Sequence, residues 1–224
     1  MFANTVRNLR FPAGAAIDAK PPFCYHSNRS RGIRRGEAEL AKQVARAVQV
    51  NVVHGSSVKK EMGEKLKVYL ESSFISYLTG RETTDAKIAS WQAFSRKWWK
   101  EEAPKCDLNV SVFVINESRV GSKEQVRLRD EKLEGLTVLE TVSPEIVKLA
   151  KLLMKRHAVP ETEATDALHI ATAAFHGMDV LLTWNCRHMA NPYTLPITRK
   201  VIEAARYVCP TITTPERFME DNGK

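Results

Sequence analysis

The stretch TEATDALHIATAAFHGMDVLLTWN, residues 162–185, decides how this chain is read. Thr162 to His176 reads as a helix, and Gly177 stops it, because glycine takes the left-handed conformation that closes a helix end. Asp179 to Thr183 is then a short apolar run bounded by turn signals, the mark of a buried strand. Asn185 follows that strand at once. A helix that stops and passes directly into a short strand is the repeating element of an alternating α/β domain.

The same alternation extends outward in both directions. Lys65 to Leu70 is a partly β-branched apolar strand, and Leu108–Ser111 and Leu136–Leu139 repeat the pattern, with a possible last strand at Thr211–Thr213. Helical segments fill the intervals: Ser72–Leu78, Asp85–Glu102, a helix that begins over Val112–Arg119, Lys123–Leu133, and Thr194–Tyr207. Ser143 with Pro144 and Glu145 opens a further helix that runs to about His157, serine serving as the cap and proline as the first helical residue. Ile88, Trp91, Ser95 and Trp98 share one helical face. The three tryptophans there, Trp91, Trp98 and Trp99, read as core or interface packing, with base stacking as the sharper alternative. Short apolar strands between helices imply a central parallel sheet of four to five strands in a three-layer α/β/α fold. In such sheets ligands sit beyond the carboxyl ends of the strands.

That edge collects polar residues. Glu71 follows the first strand immediately, Glu117 lies in the helix directly after the second, Asp166 sits one turn into the helix over 162–176, and Asn185 follows the fourth strand. A carboxylate in apolar surroundings is costly unless a cation or a donor offsets it. Taken singly, Glu71 reads equally well as a carboxylate at a helix start, and Asp166 as the partner of a lysine or arginine. Taken together, their matching positions on separate elements point to a hard divalent cation with oxygen ligands. His169, three residues after Asp166, reads as a satisfied buried histidine rather than a ligand, and His188 is ambiguous.

Composition narrows the alternatives. The chain has 224 residues, 43% of them hydrophobic, and a formal charge of +8. Residues 1–60 carry 11 lysines and arginines against 3 acids, which leaves 23 of each sign for residues 61–224. The excess charge therefore belongs to the N-terminal segment and is no evidence for nucleic-acid binding by the folded part. Cys24, Cys106, Cys186 and Cys209 are widely separated, so neither a zinc knuckle nor a redox pair is indicated, and a reducing, cytoplasmic setting is expected. The longest apolar stretches are too short to span a bilayer.

The motifs VYLESSFISYL (Val68–Leu78) and TDALHIATAAFHGMDVLLTWNCRHMAN (Thr165–Asn191) resemble those of the PIN-domain nucleases, and within them the VapC-type toxins of toxin–antitoxin pairs. The resemblance spans about residues 66–219. It implies Mg2+ or Mn2+ held by acidic residues, RNA cleavage, a separate antitoxin protein and a homodimer. Position by position, Glu71, Glu117 and Asp166 match the metal-binding acids, and Asn185 stands where a fourth acid is common. Ser73 and Thr183 match small hydroxyl residues beside the metal, and Arg187 is a candidate contact to backbone phosphate. Glu71 stands where many members have Asp, and Asn185 brings no charge. The alternative is therefore a PIN-like RNA- or protein-binding module with weak or no turnover.

Two regions are expected: a basic, disordered extension over residues 1–61 and the PIN-like domain over 62–224. The extension has too few bulky apolar residues to fold alone, although Glu37 to Val50 has helical amphipathicity. An RNA-binding tail, an organelle-type leader and a true start at Met62 are competing readings of it.

Overall fold

The computed structural model describes residues 65–141 and 143–222. The expected extension over 1–61, the helix expected from Glu37 to Val50 and the alternative start at Met62 lie outside the described residues.

Strand β1 (Leu66–Leu70) is the centre of the sheet, and its Val68, Tyr69 and Leu70 are wholly buried. It pairs in parallel with β2 (Cys106–Ser111) on one side and β4 (Val180–Leu182) on the other. Outside these lie β3 (Thr137–Leu139), beside β2, and β5 (Thr211–Thr213), beside β4. The strand order is β3-β2-β1-β4-β5, all parallel. Burial on both faces explains why Val68–Leu70 and Val180–Leu182 read as continuous apolar runs rather than alternating ones. The strand expected to begin at Leu108 begins earlier, at Cys106.

The helices are α1 (Ser72–Leu78), α2 (Ala86–Glu101), α3 (Val112–Ser118), α4 (Lys123–Leu133), α5 (Pro144–Lys155), α6 (Ala164–Phe175), α7 (Leu195–Ala204) and α8 (Pro215–Asn222). Their main mutual contacts fall into two sets, α1 to α4 with α8, and α5 to α7. With the sheet between them these make the three-layer α/β/α arrangement expected. Ser143 caps α5 through its hydroxyl, which accepts from the Glu145 N–H at 3.2 Å, and Gly177 closes α6 at a φ of 62°. Helix α8 has no counterpart in the sequence reading. Thr214 Oγ1 accepts from the Arg217 N–H at 3.3 Å, and Phe218 packs its edge on Trp98, ring centres 5.7 Å apart. Trp98 is fully buried, as its helical spacing implied.

The topology positions the polar residues. The chain leaves β1 towards β2 and β3, and leaves β4 the opposite way, towards β5. Right-handed crossovers then place the following helices on opposite faces, which opens a crevice at the carboxyl ends of β1 and β4. Leu70 is in register with Leu182, and the Glu71 N–H extends that ladder to the Leu182 carbonyl at 3.1 Å. Glu71 and Thr183 therefore leave the sheet side by side.

Candidate metal centre

Glu71 is the residue before α1, in extended conformation, yet its side chain does not cap that helix. Its carboxylate instead accepts three hydroxyls. Ser72 donates to Oε1 at 2.7 Å, while Ser73 and Thr183 donate to Oε2, Thr183 at 2.7 Å. The two hydroxyls on Oε2 are fixed from behind. Ser73 Oγ accepts the Trp184 N–H and Thr183 Oγ1 the Asn185 N–H, each at 2.9 Å. The loop after β4 is itself held by aromatic packing: Trp184 stacks on Trp91 with ring centres 5.2 Å apart and donates its indole N–H to Ser95. The chain thus builds a rigid socket around one carboxylate.

Glu71 is only 3% exposed. Burial raises its pKa most, and the Glu117 charge adds to this, against the opposing pull of His169 and the hydroxyls. Glu117 sits in the last turn of α3 with its side chain 31% exposed. Burial pushes its pKa up, but the charge and hydrogen bond of His169 outweigh that and lower it. His169 Nε2 lies 3.1 Å from Glu117 Oε2. Burial depresses the imidazole, yet Glu117 first, then Glu71 and Asp166, raise it. Its other nitrogen, Nδ1, is 2.7 Å from the Tyr69 hydroxyl, which is 2.6 Å from Ser111 Oγ. Tyr69 is fully buried, and burial holds its phenol protonated.

Glu71, Glu117 and His169 each offer a ligand atom within 4.8 Å of the others. Asp166 belongs to a second group, with Glu163 and His188. Its Oδ2 accepts from Asn185 Nδ2 at 2.9 Å and from His188 Nδ1 at 3.1 Å, and Asn185 Oδ1 accepts the His188 N–H at 3.1 Å. Glu163 Oε2 is 3.9 Å from the same His188 nitrogen. The four expected polar residues thus divide: Glu71 and Glu117, with Ser73 and Thr183 around them, form the buried group, while Asp166 and Asn185 bond to each other beside it. Arg187 is exposed on the loop beyond Asn185, where its carbonyl accepts from Asn191.

Sequence reasoning did not include Tyr69, His169, Glu163 or His188 among the site residues. A tyrosine between Val68 and Leu70 in an apolar strand was the available signal, since a buried phenol needs a hydrogen-bond partner. The donor set suits a divalent cation. Two buried or half-buried carboxylates lie together beside an imidazole, and the Glu117 charge adds to the burial that raises the pKa of Glu71.

Residues 68–188 match the family model described as the PIN domain. No curated protein matches the chain. Among solved structures it is similar to the crystal structure of VapC20 from Mycobacterium tuberculosis, a toxin that cleaves the sarcin–ricin loop. The two are 19% identical over 63% of this chain and 96% of that one, with a TM-score of 0.41.

Proposed function

The chain belongs to the PIN-domain family, and on that premise we propose that it is a metal-dependent ribonuclease that hydrolyses RNA phosphodiester bonds as the toxin of a toxin–antitoxin pair. The observation that carries this reading is Glu71, a buried carboxylate within ligand distance of Glu117 at the crevice between β1 and β4. Glu71 and Glu117 would hold Mg2+ or Mn2+, with Asp166 adjoining. A bound cation of this kind lowers the pKa of a water and offsets charge on phosphate oxygens.

The chain's own groups have separable tasks. Ser72, Ser73 and Thr183 hold the Glu71 carboxylate in one orientation by donating to it. Asn185 donates to Asp166 and so orients that carboxylate rather than presenting a charge of its own. Arg187 offers an exposed cation on the same loop for a backbone phosphate. We assign the protein to the cytoplasm, with a cognate antitoxin and a second copy of itself as partners. Exposed Tyr193, Val208 and Val120 supply apolar surface for such contacts. Among the described residues no helix is long and apolar enough to cross a membrane.

The neutral Asn185, engaged at both ends of its amide, favours the second reading: a PIN-fold RNA- or protein-binding module with little turnover. One assay separates the two. RNA is incubated with the full chain and Mn2+, alongside Glu117→Gln and Asp166→Ala. Cleavage that both substitutions abolish or weaken supports the nuclease. Equal cleavage by all three removes this site, and metal binding without cleavage leaves the module.

A further inference from the structure

We propose that His169 is itself a metal ligand, so that the site is a mixed Glu71–Glu117–His169 set that favours Mn2+ over Mg2+. The proposal rests on the reading of the glutamate pair as a metal site, though not on RNA being the substrate. The imidazole has no freedom to turn aside. It is 1% exposed, its Nδ1 is held by Tyr69, and its Nε2 faces Glu117. A cation held by Glu71 and Glu117 would have the imidazole beside it, since the three residues offer ligand atoms within 4.8 Å of one another.

The hydrogen bonds behind the ring can run in either direction. With a neutral ring protonated at Nε2, Ser111 would donate to Tyr69, Tyr69 to Nδ1, and Nε2–H to the Glu117 carboxylate. With a cation among the three, an N–H aimed at it is repulsive and a lone pair is attractive. The chain then reverses: Nδ1–H donates to the Tyr69 oxygen, and Tyr69 donates to Ser111. Each atom in this row is a hydroxyl or ring nitrogen that can take either part, at 2.6 and 2.7 Å. A metal-bound histidine characteristically donates its other ring N–H to a fixed partner, and Tyr69 is that partner here. Asp166, by contrast, is outside this group, with one oxygen already taking two donors.

An imidazole nitrogen changes the metal preference. Mg2+ takes oxygen donors in strict octahedral geometry, whereas later divalent ions accept imidazole readily. The test is pulsed electron paramagnetic resonance on the full chain loaded with Mn2+, read for nitrogen hyperfine coupling. Wild type is expected to show the coupling, His169→Gln to lose it, and His188→Gln to keep it. Titration should show Mn2+ affinity in His169→Gln reduced by at least about tenfold while Mg2+ affinity changes little. Tyr69→Phe keeps the ring and removes its partner, so its coupling should persist with Mn2+ affinity about tenfold weaker. Bound Mn2+ without nitrogen coupling, coupling that follows His188 instead, or no Mn2+ binding would each overturn the proposal. Parallel RNA incubations keep the two readings apart. Coupling from His169 with RNA left intact sinks the ribonuclease alone, and cleavage without coupling sinks the ligand alone.

Discussion

Two acidic groups lie side by side at one edge of the sheet, and they are built differently. Glu71, Glu117 and His169 are buried or half-buried, and the Glu71 carboxylate is held by three hydroxyls. Glu163, Asp166 and His188 are all partly exposed, and Asp166 is held by a neutral amide and an imidazole. Hydroxyls leave a carboxylate its charge, so the first group keeps an anionic demand that a cation would offset. In the second group solvent and hydrogen bonds already share that demand. The contrast teaches that acids of like type at like positions are not equivalent once their neighbours are known.

Substitutions can break the contrast. The largest effect is expected from Glu71→Gln or Glu117→Gln, each of which should cut metal-dependent cleavage by about a hundredfold or more. Asp166→Asn should cost less, about tenfold, in the same assay; an equal loss from all three would show that the groups act as one. Asn185→Asp replaces the donor to Asp166 with a like charge, so the metal-free protein should lose about 1–2 kcal/mol in denaturant melts. Unchanged stability there would mean the pair is unimportant to the fold.

A subtler difference concerns pH. The raised pKa of Glu71 means that the fold favours its protonated form. Its contribution to metal-free stability is therefore present in acid and lost as pH rises through the folded value. Glu71→Gln should then be more stable than wild type in chelator near neutrality, with the gap closing as pH falls. A gap that widens in acid would contradict the assignment. The smallest effect is Arg187→Ala, expected to weaken RNA cleavage by about threefold at low salt, with the difference fading as salt is raised.

Much of the fold was legible because burial on both sheet faces writes strands as short apolar runs. Leu66–Leu70 and Val180–Leu182 are examples. Helix α8 was not, since it is short and is tied to the body through Phe218 against Trp98, a partner more than a hundred residues away in the chain. The position of each acid at the sheet edge was legible for a similar reason: Glu71 follows a strand, Asp166 lies in the first turn of a helix, and Glu117 lies in the short helix directly after β2. Their division was not. It depends on Asn185 and His188 turning towards Asp166, and on Tyr69 reaching His169 across 100 residues of sequence. Spacing along a chain carries no record of which hydrogen bonds compete in space. The expectation that His169 is a buried, satisfied side chain describes its surroundings well, though not which carboxylate it would face.

The stacked indoles of Trp91 and Trp184 give the protein an optical consequence. Trp184 adjoins Thr183, whose hydroxyl is bonded to Glu71, and its own backbone N–H is bonded to Ser73, which donates to the same carboxylate. Any displacement of Glu71 is relayed in two bonds to a chromophore coupled to a near-parallel neighbour, the two rings inclined by 21°. Exciton coupling between such rings varies steeply with their separation and angle. Near-ultraviolet circular dichroism of the unlabelled protein should therefore register what happens at the carboxylate.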